Sequence, residues 1–220
     1  MSVVKKLIQF LFCIATEWFG PGRAGLSLTG RSGIVRNIMV KTSINNPLHI
    51  DVVNVPGTNG LIGMTLCPGK KYTGPTGVHD RDLDLDLDVI HNWGARMLVS
   101  LIEDHEYRKV QITDIGSRIA GRMTHMKLPI RDLDVPDSAW EQDWQVKGPI
   151  IRAALRNGER VCVHCMGGLG RTGLFVARLL VEFGMSPDEA ILAVRKARPG
   201  TIETPAQENY VRACTPGGGL

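Results

Sequence analysis

The 220-residue chain lacks several features, and each absence removes a class of function. It has no internal repeat and no low-complexity tract, so it reads neither as a solenoid nor as a disordered tail. It has no dense basic stripe. Its 26 Lys and Arg are interleaved with 22 Asp and Glu for a net charge of +4, which gives nothing to grip a nucleic-acid backbone. It has no apolar run suited to crossing a bilayer, because residues 7–19 are too few and Gln9 and Glu17 interrupt them. The same stretch follows a basic start but precedes no small-x-small cleavage site. It therefore reads as an amphipathic appendage without firm membrane association, a targeting or membrane-touching role being the alternative. It also lacks a disulfide framework: Cys13, Cys67, Cys162, Cys165 and Cys214 are odd in number and irregularly spaced, which favours a reducing, cytoplasmic compartment.

What is present is an ordinary globular composition, 43% apolar and 22% charged, in a length usual for one domain. Residues 1–47 read as a loop-rich N-terminal extension with its short apolar segment, and residues 48–220 as the domain proper. Strands are expected at 50–55 and 61–66, with Cys67-Pro68-Gly69 breaking the second. Leu83, Leu87, Ile90 and Trp93 recur at helical spacing, and the repeated Asp residues between them are expected on the wet face. Residues 95–102 form an apolar run of strand length, as for a strand buried on both faces. A helix over 113–123, a strand over 124–130, a helix start over 138–144, a helix over 149–157 closed by Gly158, and a buried strand over 161–164 follow. Residues 172–183 are apolar nearly all round, with Arg178 and Glu182 as an i, i+4 pair and Gly184 as the stop. Ser186-Pro187-Asp188-Glu189 is a capping box, and Thr204-Pro205-Ala206-Gln207 repeats the device. The alternation implies an α/β fold, with a mainly parallel central sheet of about four to five strands flanked by helices.

The chemistry is concentrated in Val161-Cys162-Val163-His164-Cys165-Met166-Gly167-Gly168-Leu169-Gly170-Arg171-Thr172-Gly173, a buried strand, a glycine-rich turn and a helix start. Backbone N–H groups converge on an anion only where glycines allow unusual φ and close approach, and a helix N-terminus adds partial positive charge at the same point. A cysteine at the strand end, beside an arginine in that field, is suited to be held as thiolate, the nucleophilic form. Arg171 offers a planar fork to two phosphate oxygens, which lysine cannot. This places a phosphate-binding loop, Met166 to Gly170, between a buried strand and a central helix.

His164-Cys165-x5-Arg171-Thr172 resembles the signature of the cysteine-dependent, protein-tyrosine/dual-specificity phosphatases. The resemblance implies hydrolysis of phosphate monoesters through a cysteinyl-phosphate, with Cys165 as nucleophile and no metal or cofactor. It implies that His164 orients the loop and tunes the thiol, and that the Thr172 hydroxyl eases departure of the thiolate. Other readings stay open. Cys162 to Cys165 is formally a redox C-x-x-C, but it lies on a strand rather than at a helix start. A zinc site lacks a second ligand pair. A rhodanese-type sulfurtransferase also uses a cysteine loop, and a phosphoprotein- or kinase-binding module with little turnover would keep the same residues.

A carboxylic acid is needed to protonate the leaving oxygen, and Asp132, Asp134 and Asp137 compete for that task. Helix capping accounts for Asp137, and Asp134 has no assigned task. Together with Cys67-Pro-Gly and Leu128-Pro-Ile-Arg-Asp132, the loop resembles the kinase-associated phosphatase group over about residues 48–212, which implies Asp132 as the acid. Similarity to the segment that holds the hydrolytic water points to Glu203 or Gln207, although relatives often carry Gln where Glu203 stands. The loop positions carry no lysine, which in this superfamily favours a phosphoprotein or simple monoester over a phosphoinositide. Glycine-leucine-glycine before the arginine also resembles the mitotic-exit phosphatases, so phosphoserine and phosphothreonine join phosphotyrosine as candidates. Lys70 and Lys71 read as a solvated turn, with a place at the border of the pocket as the alternative.

Overall fold

The computed structural model describes residues 39–74 and 76–217. The chain divides into two units, Met1–Asn37 and Ile38–Leu220. The first, with the amphipathic segment at 7–19 and most of the loop-rich extension, lies outside the described residues.

A five-stranded sheet forms the centre, in the order β1 (Asp51–Asn54), β2 (Leu61–Thr65), β7 (Arg160–His164), β5 (Ala95–Ser100), β6 (Thr124–Lys127). β1 runs antiparallel to β2, and the other three pairings are parallel. The mainly parallel sheet expected from the alternation is therefore present. β7 lies between β2 and β5 with Val161 to His164 all buried, which is why its sequence is apolar without alternation.

The helices are α1 (Leu83–Asn92), α2 (Asp104–Lys109), α3 (Ile115–Ile119), α4 (Ser138–Arg156), α5 (Gly170–Glu182), α6 (Pro187–Ala197) and α7 (Pro205–Ala213). α5 is buried at every position and packs against α6 and α7 as well as the sheet. Its Arg178 is buried among Trp140, Trp144 and Tyr210. Ion pairs to Glu182 at 3.0 Å and Glu141 at 2.5 Å answer its charge, and a second guanidinium, from Arg152, reaches Glu182 at 2.6 Å.

Several elements differ from expectation. The two helical stretches at 138–144 and 149–157 are one helix, α4, with Pro149 inside it. Gly148 makes this possible: it has no Cβ to clash with the proline ring, and a Cβ there would lie 2.7 Å from the Trp144 ring. The helix expected over 113–123 is only the short α3. A hairpin of β3 (Lys71–Gly74) and β4 (Gly77–Asp80), and the helix α2, add to the expected set. The Asp residues of α1 are not uniformly wet. Asp86 is fully buried, takes the Arg81 guanidinium at 2.7 and 2.8 Å, and accepts the N–H of Gly69 at 2.8 Å. The buried Arg81, just ahead of the helix, gives that carboxylate a partner that periodicity alone does not reveal.

Candidate active site

The site lies at the carboxyl end of the parallel strands, where open α/β sheets bind their ligands. Cys165 follows the last residue of β7 and is 3% exposed, and the turn from Met166 to Gly170 carries the chain into α5. The Gly168 N–H points at the Cys165 Sγ, 3.3 Å away. Gly168 itself has φ +72°, and a Cβ there would sit 2.2 Å from the Thr65 carbonyl oxygen, so no other residue fits this turn.

Arg171, in the first turn of α5, is buried, and its guanidinium reaches past the loop to Glu106 on α2. Two parallel bonds of 2.6 and 2.8 Å form a fork-to-fork pair, and the Ile130 carbonyl accepts a third at 3.1 Å. Burial raises the Glu106 carboxyl, but Arg171 outweighs it and holds the group below the usual carboxylate range. The Nε–H of Arg171 is buried and has no protein partner, so this guanidinium keeps a donor to spare. Sequence reasoning missed Glu106, whose place in the α2 capping box gives it an ordinary structural explanation.

Of the three competing acids, Asp132 reaches the arginine, 2.9 Å from Arg171 Nη2, while its side chain remains 63% exposed. Asp137 caps α4 through the Trp140 N–H, and Asp134 accepts the N–H of Val135. Leu133 takes a left-handed backbone, φ +61°, directly after Asp132 and exposes its side chain. The loop is fastened to the start of α7 at two points, Thr204 Oγ1 to the Leu133 carbonyl at 3.5 Å and Gln207 Nε2 to the Asp134 carbonyl at 3.2 Å. A cavity of about 530 Å³ lies beside it, lined by Ile102, Ile130 and Trp140 with Glu103, Asp104 and Arg131 among its polar walls.

His164 is fully buried between Ser100 Oγ, 2.7 Å from Nε2, and the Cys165 carbonyl, 3.2 Å from Nδ1. Burial lowers its pKa to about 3, so the ring is neutral and acts through hydrogen bonds rather than charge. The hydroxyl of Thr172 is buried without a partner. Glu203 and Gln207 are brought to the loop together: Gly170 N–H donates to Glu203 Oε2 at 2.8 Å, and Gln207 Oε1 accepts the Glu203 N–H at 2.9 Å. Gln207 thus does not close a capping box on Thr204, because its amide spans from Glu203 to the acid loop. Lys70 also departs from the solvated turn expected of it. It is 3% exposed, with Nζ 3.4 Å from the Met166 carbonyl. Cys162 is fully buried, and burial pushes its thiol up to about 12, which suits a core residue rather than a redox partner. Among the described residues no three His, Cys, Asp or Glu side chains group as a metal site would need.

Residues 78–211 match the family described as PTP-SAK, the Swiss Army Knife protein, DSP-PTPase phosphatase domain. Cyclin-dependent kinase inhibitor 3 of Homo sapiens is 28% identical over 173 residues, 75% of this chain and 77% of that protein. Tyrosine-protein phosphatase CDC14 of Saccharomyces cerevisiae is 32% identical over 111 residues, which are 50% of this chain but 18% of the yeast protein. The chain therefore spans less than a fifth of that relative's length. Among solved structures, kinase associated phosphatase with serine in place of its catalytic site cysteine matches with a TM-score of 0.66 at 24% identity, over 76% of this chain and 93% of that one. That likeness carries the fold. The family match covers more than half of the chain, which belongs to the DSP-PTPase, or dual-specificity and protein-tyrosine, phosphatase family.

Proposed function

We propose that the chain hydrolyses phosphate monoesters on phosphoproteins through a cysteinyl-phosphate, with Cys165 as nucleophile. The supporting observation is the Cys165 sulfur under the Gly168 N–H, beside an arginine that keeps one buried donor unused. In the first step the thiolate attacks phosphorus, the P–O bond to the side-chain oxygen breaks, and Asp132 gives that oxygen its proton. Arg171 and the loop N–H groups between Met166 and Leu169 hold the equatorial oxygens, where charge is greatest in the transition state. In the second step water attacks the phosphocysteine, its proton passes to the Asp132 carboxylate, and the S–P bond breaks to return the thiolate. The unpartnered Thr172 hydroxyl is available to hydrogen-bond that departing sulfur. Glu203, which accepts the Gly170 N–H and has its own N–H on Gln207, orients that water in this reading.

The relatives' names refer to kinases, which makes a phosphorylated kinase one substrate worth including. The test is turnover of an aryl phosphate by wild type and Cys165→Ser, followed by phosphopeptides carrying Tyr, Thr or Ser. Wild-type turnover lost in Cys165→Ser, with phosphate-analogue binding kept, is the expected result, because a hydroxyl is too weakly acidic to ionise as the thiol does. Hydrolysis retained in that variant would overturn the mechanism.

A further inference from the structure

For the loop N–H groups to face a phosphate, the loop carbonyls must face away, and glycine is the residue for which either orientation is readily accessible. Two of the three positions after Cys165 are glycine. The three consecutive carbonyls at this point are all held by cations from distant parts of the chain. Lys70 Nζ donates to the Met166 carbonyl at 3.4 Å, and the Cys67 N–H donates to the same oxygen at 3.3 Å. Arg198, at the end of α6, donates from Nη2 to the Gly167 carbonyl at 3.1 Å and from Nε to the Gly168 carbonyl at 2.6 Å. Its Nη1 is anchored on Asp51 of β1 at 2.5 Å, so the fork is fixed at both ends.

Both cations are themselves held in place. The turn that carries Lys70 is pinned by Gly69 N–H on buried Asp86, by Arg81 N–H on the Lys70 carbonyl, and by Lys71 N–H on the Val110 carbonyl. Burial draws the Lys70 ammonium below its ordinary pKa, and nearby Cys67 and Cys165 act in the opposite sense. An ammonium is desolvated here against a backbone oxygen of the loop, a cost that its one 3.4 Å hydrogen bond only partly offsets.

We propose that Lys70 and Arg198 are positioning residues that hold the peptide planes of Met166, Gly167 and Gly168 with carbonyls outward, and so keep the loop receptive to an oxyanion. The proposal rests on the reading of this loop as the phosphate site, but it concerns binding and is tested without turnover. The probe is tungstate, titrated calorimetrically into wild type, Lys70→Met, Arg198→Met and Arg198→Lys, with the melting temperature of each recorded. Lys70→Met and Arg198→Met are expected to weaken tungstate about tenfold or more, and Arg198→Lys to fall between, since a single ammonium nitrogen lacks the planar fork that spans both carbonyls and Asp51 at once.

Trp144→Phe, a core change, shows how much affinity a lowered melting temperature removes by itself. If Arg198→Met loses no more affinity than a similarly destabilised Trp144→Phe, or stays within about twofold of wild type, the proposal fails. Should Lys70→Met not fold, Arg198→Lys decides: wild-type tungstate affinity in that variant overturns the grip on two carbonyls, and reduced affinity supports it. Tungstate binding by a wild type that cannot hydrolyse an aryl phosphate would sink the catalytic reading and leave this one standing.

Discussion

The loop proposed to bind phosphate and the loop proposed to carry the acid meet at Arg171 but are built on opposite lines. The first is buried at Cys165, Gly168 and Gly170, with carbonyls gripped from outside, an N–H on the cysteine sulfur and a glycine that admits no substitute. The second is exposed at Asp132, adopts a left-handed backbone at Leu133, and is fastened to the body at Thr204 and Gln207. The contrast is the one the proposed chemistry asks for. Groups that stabilise developing charge must be set before the substrate arrives, whereas a proton donor must meet both the leaving group and water.

The contrast is broken most severely in the first loop. Gly168→Ala should lose on the order of 10²-fold or more in kcat/KM on every substrate alike, because its Cβ would displace the loop and such misplacement is costly whatever the leaving group. Steady-state kinetics on an aryl phosphate and a phosphopeptide check this, and a loss confined to one of them would contradict it. Asp132→Asn should show the opposite signature, roughly 10²- to 10⁴-fold in kcat on phosphopeptides and much less on an activated aryl phosphate, whose oxygen departs unprotonated. If the leaving-group-dependent loss falls on Asp134→Asn or Asp137→Asn instead, the acid must be reassigned.

Acid should act on the strands behind the first loop, β7 with His164 and β6 with His125. Burial holds His164 and His125 neutral, with values lowered to about 3 and about 4. The unfolded chain takes up protons near 6.5 that the native state refuses, so stability should be complete above about pH 6.5 and fall as pH drops towards those lowered values. Glu106, itself depressed, loses its contribution only as pH falls through its lowered value. Urea unfolding at a series of pH values checks this, and equal stability at pH 7.5 and pH 5 would contradict it. The smallest effect belongs to the acid loop. Leu133→Asn should raise stability by up to roughly 1 kcal/mol, since asparagine tolerates the left-handed region better, and should leave tungstate affinity unchanged.

What the sequence disclosed about the site was what is local. The strand, glycine turn and helix that carry Cys165 and Arg171 are contiguous, and the spacing of the motif carries their geometry. What it concealed was contact across the chain. Glu106 meets Arg171 from 65 positions away, and Lys70 meets Met166 from 96. Each has an adequate local explanation, a capping box or a basic turn, that hides its distant partner. Asp86 was hidden likewise, as one of a run of acids whose neighbours do face solvent. Pro149 led in the other direction, since the rule that proline starts a helix overrode the amphipathic pattern that runs through it.

Arg178 has a bearing on the active site although it takes no part in it. It lies two turns along α5 from Arg171, about 10 Å at helical rise, and therefore on the same side of the helix. Rotating α5 about its axis, or sliding it by a turn, would carry Arg178 away from Glu141 on α4 and Glu182 away from Arg152, leaving a buried guanidinium short of one of its carboxylates. The network thus serves as an index pin for the helix, setting the bearing along which its amino end and Arg171 point at the loop.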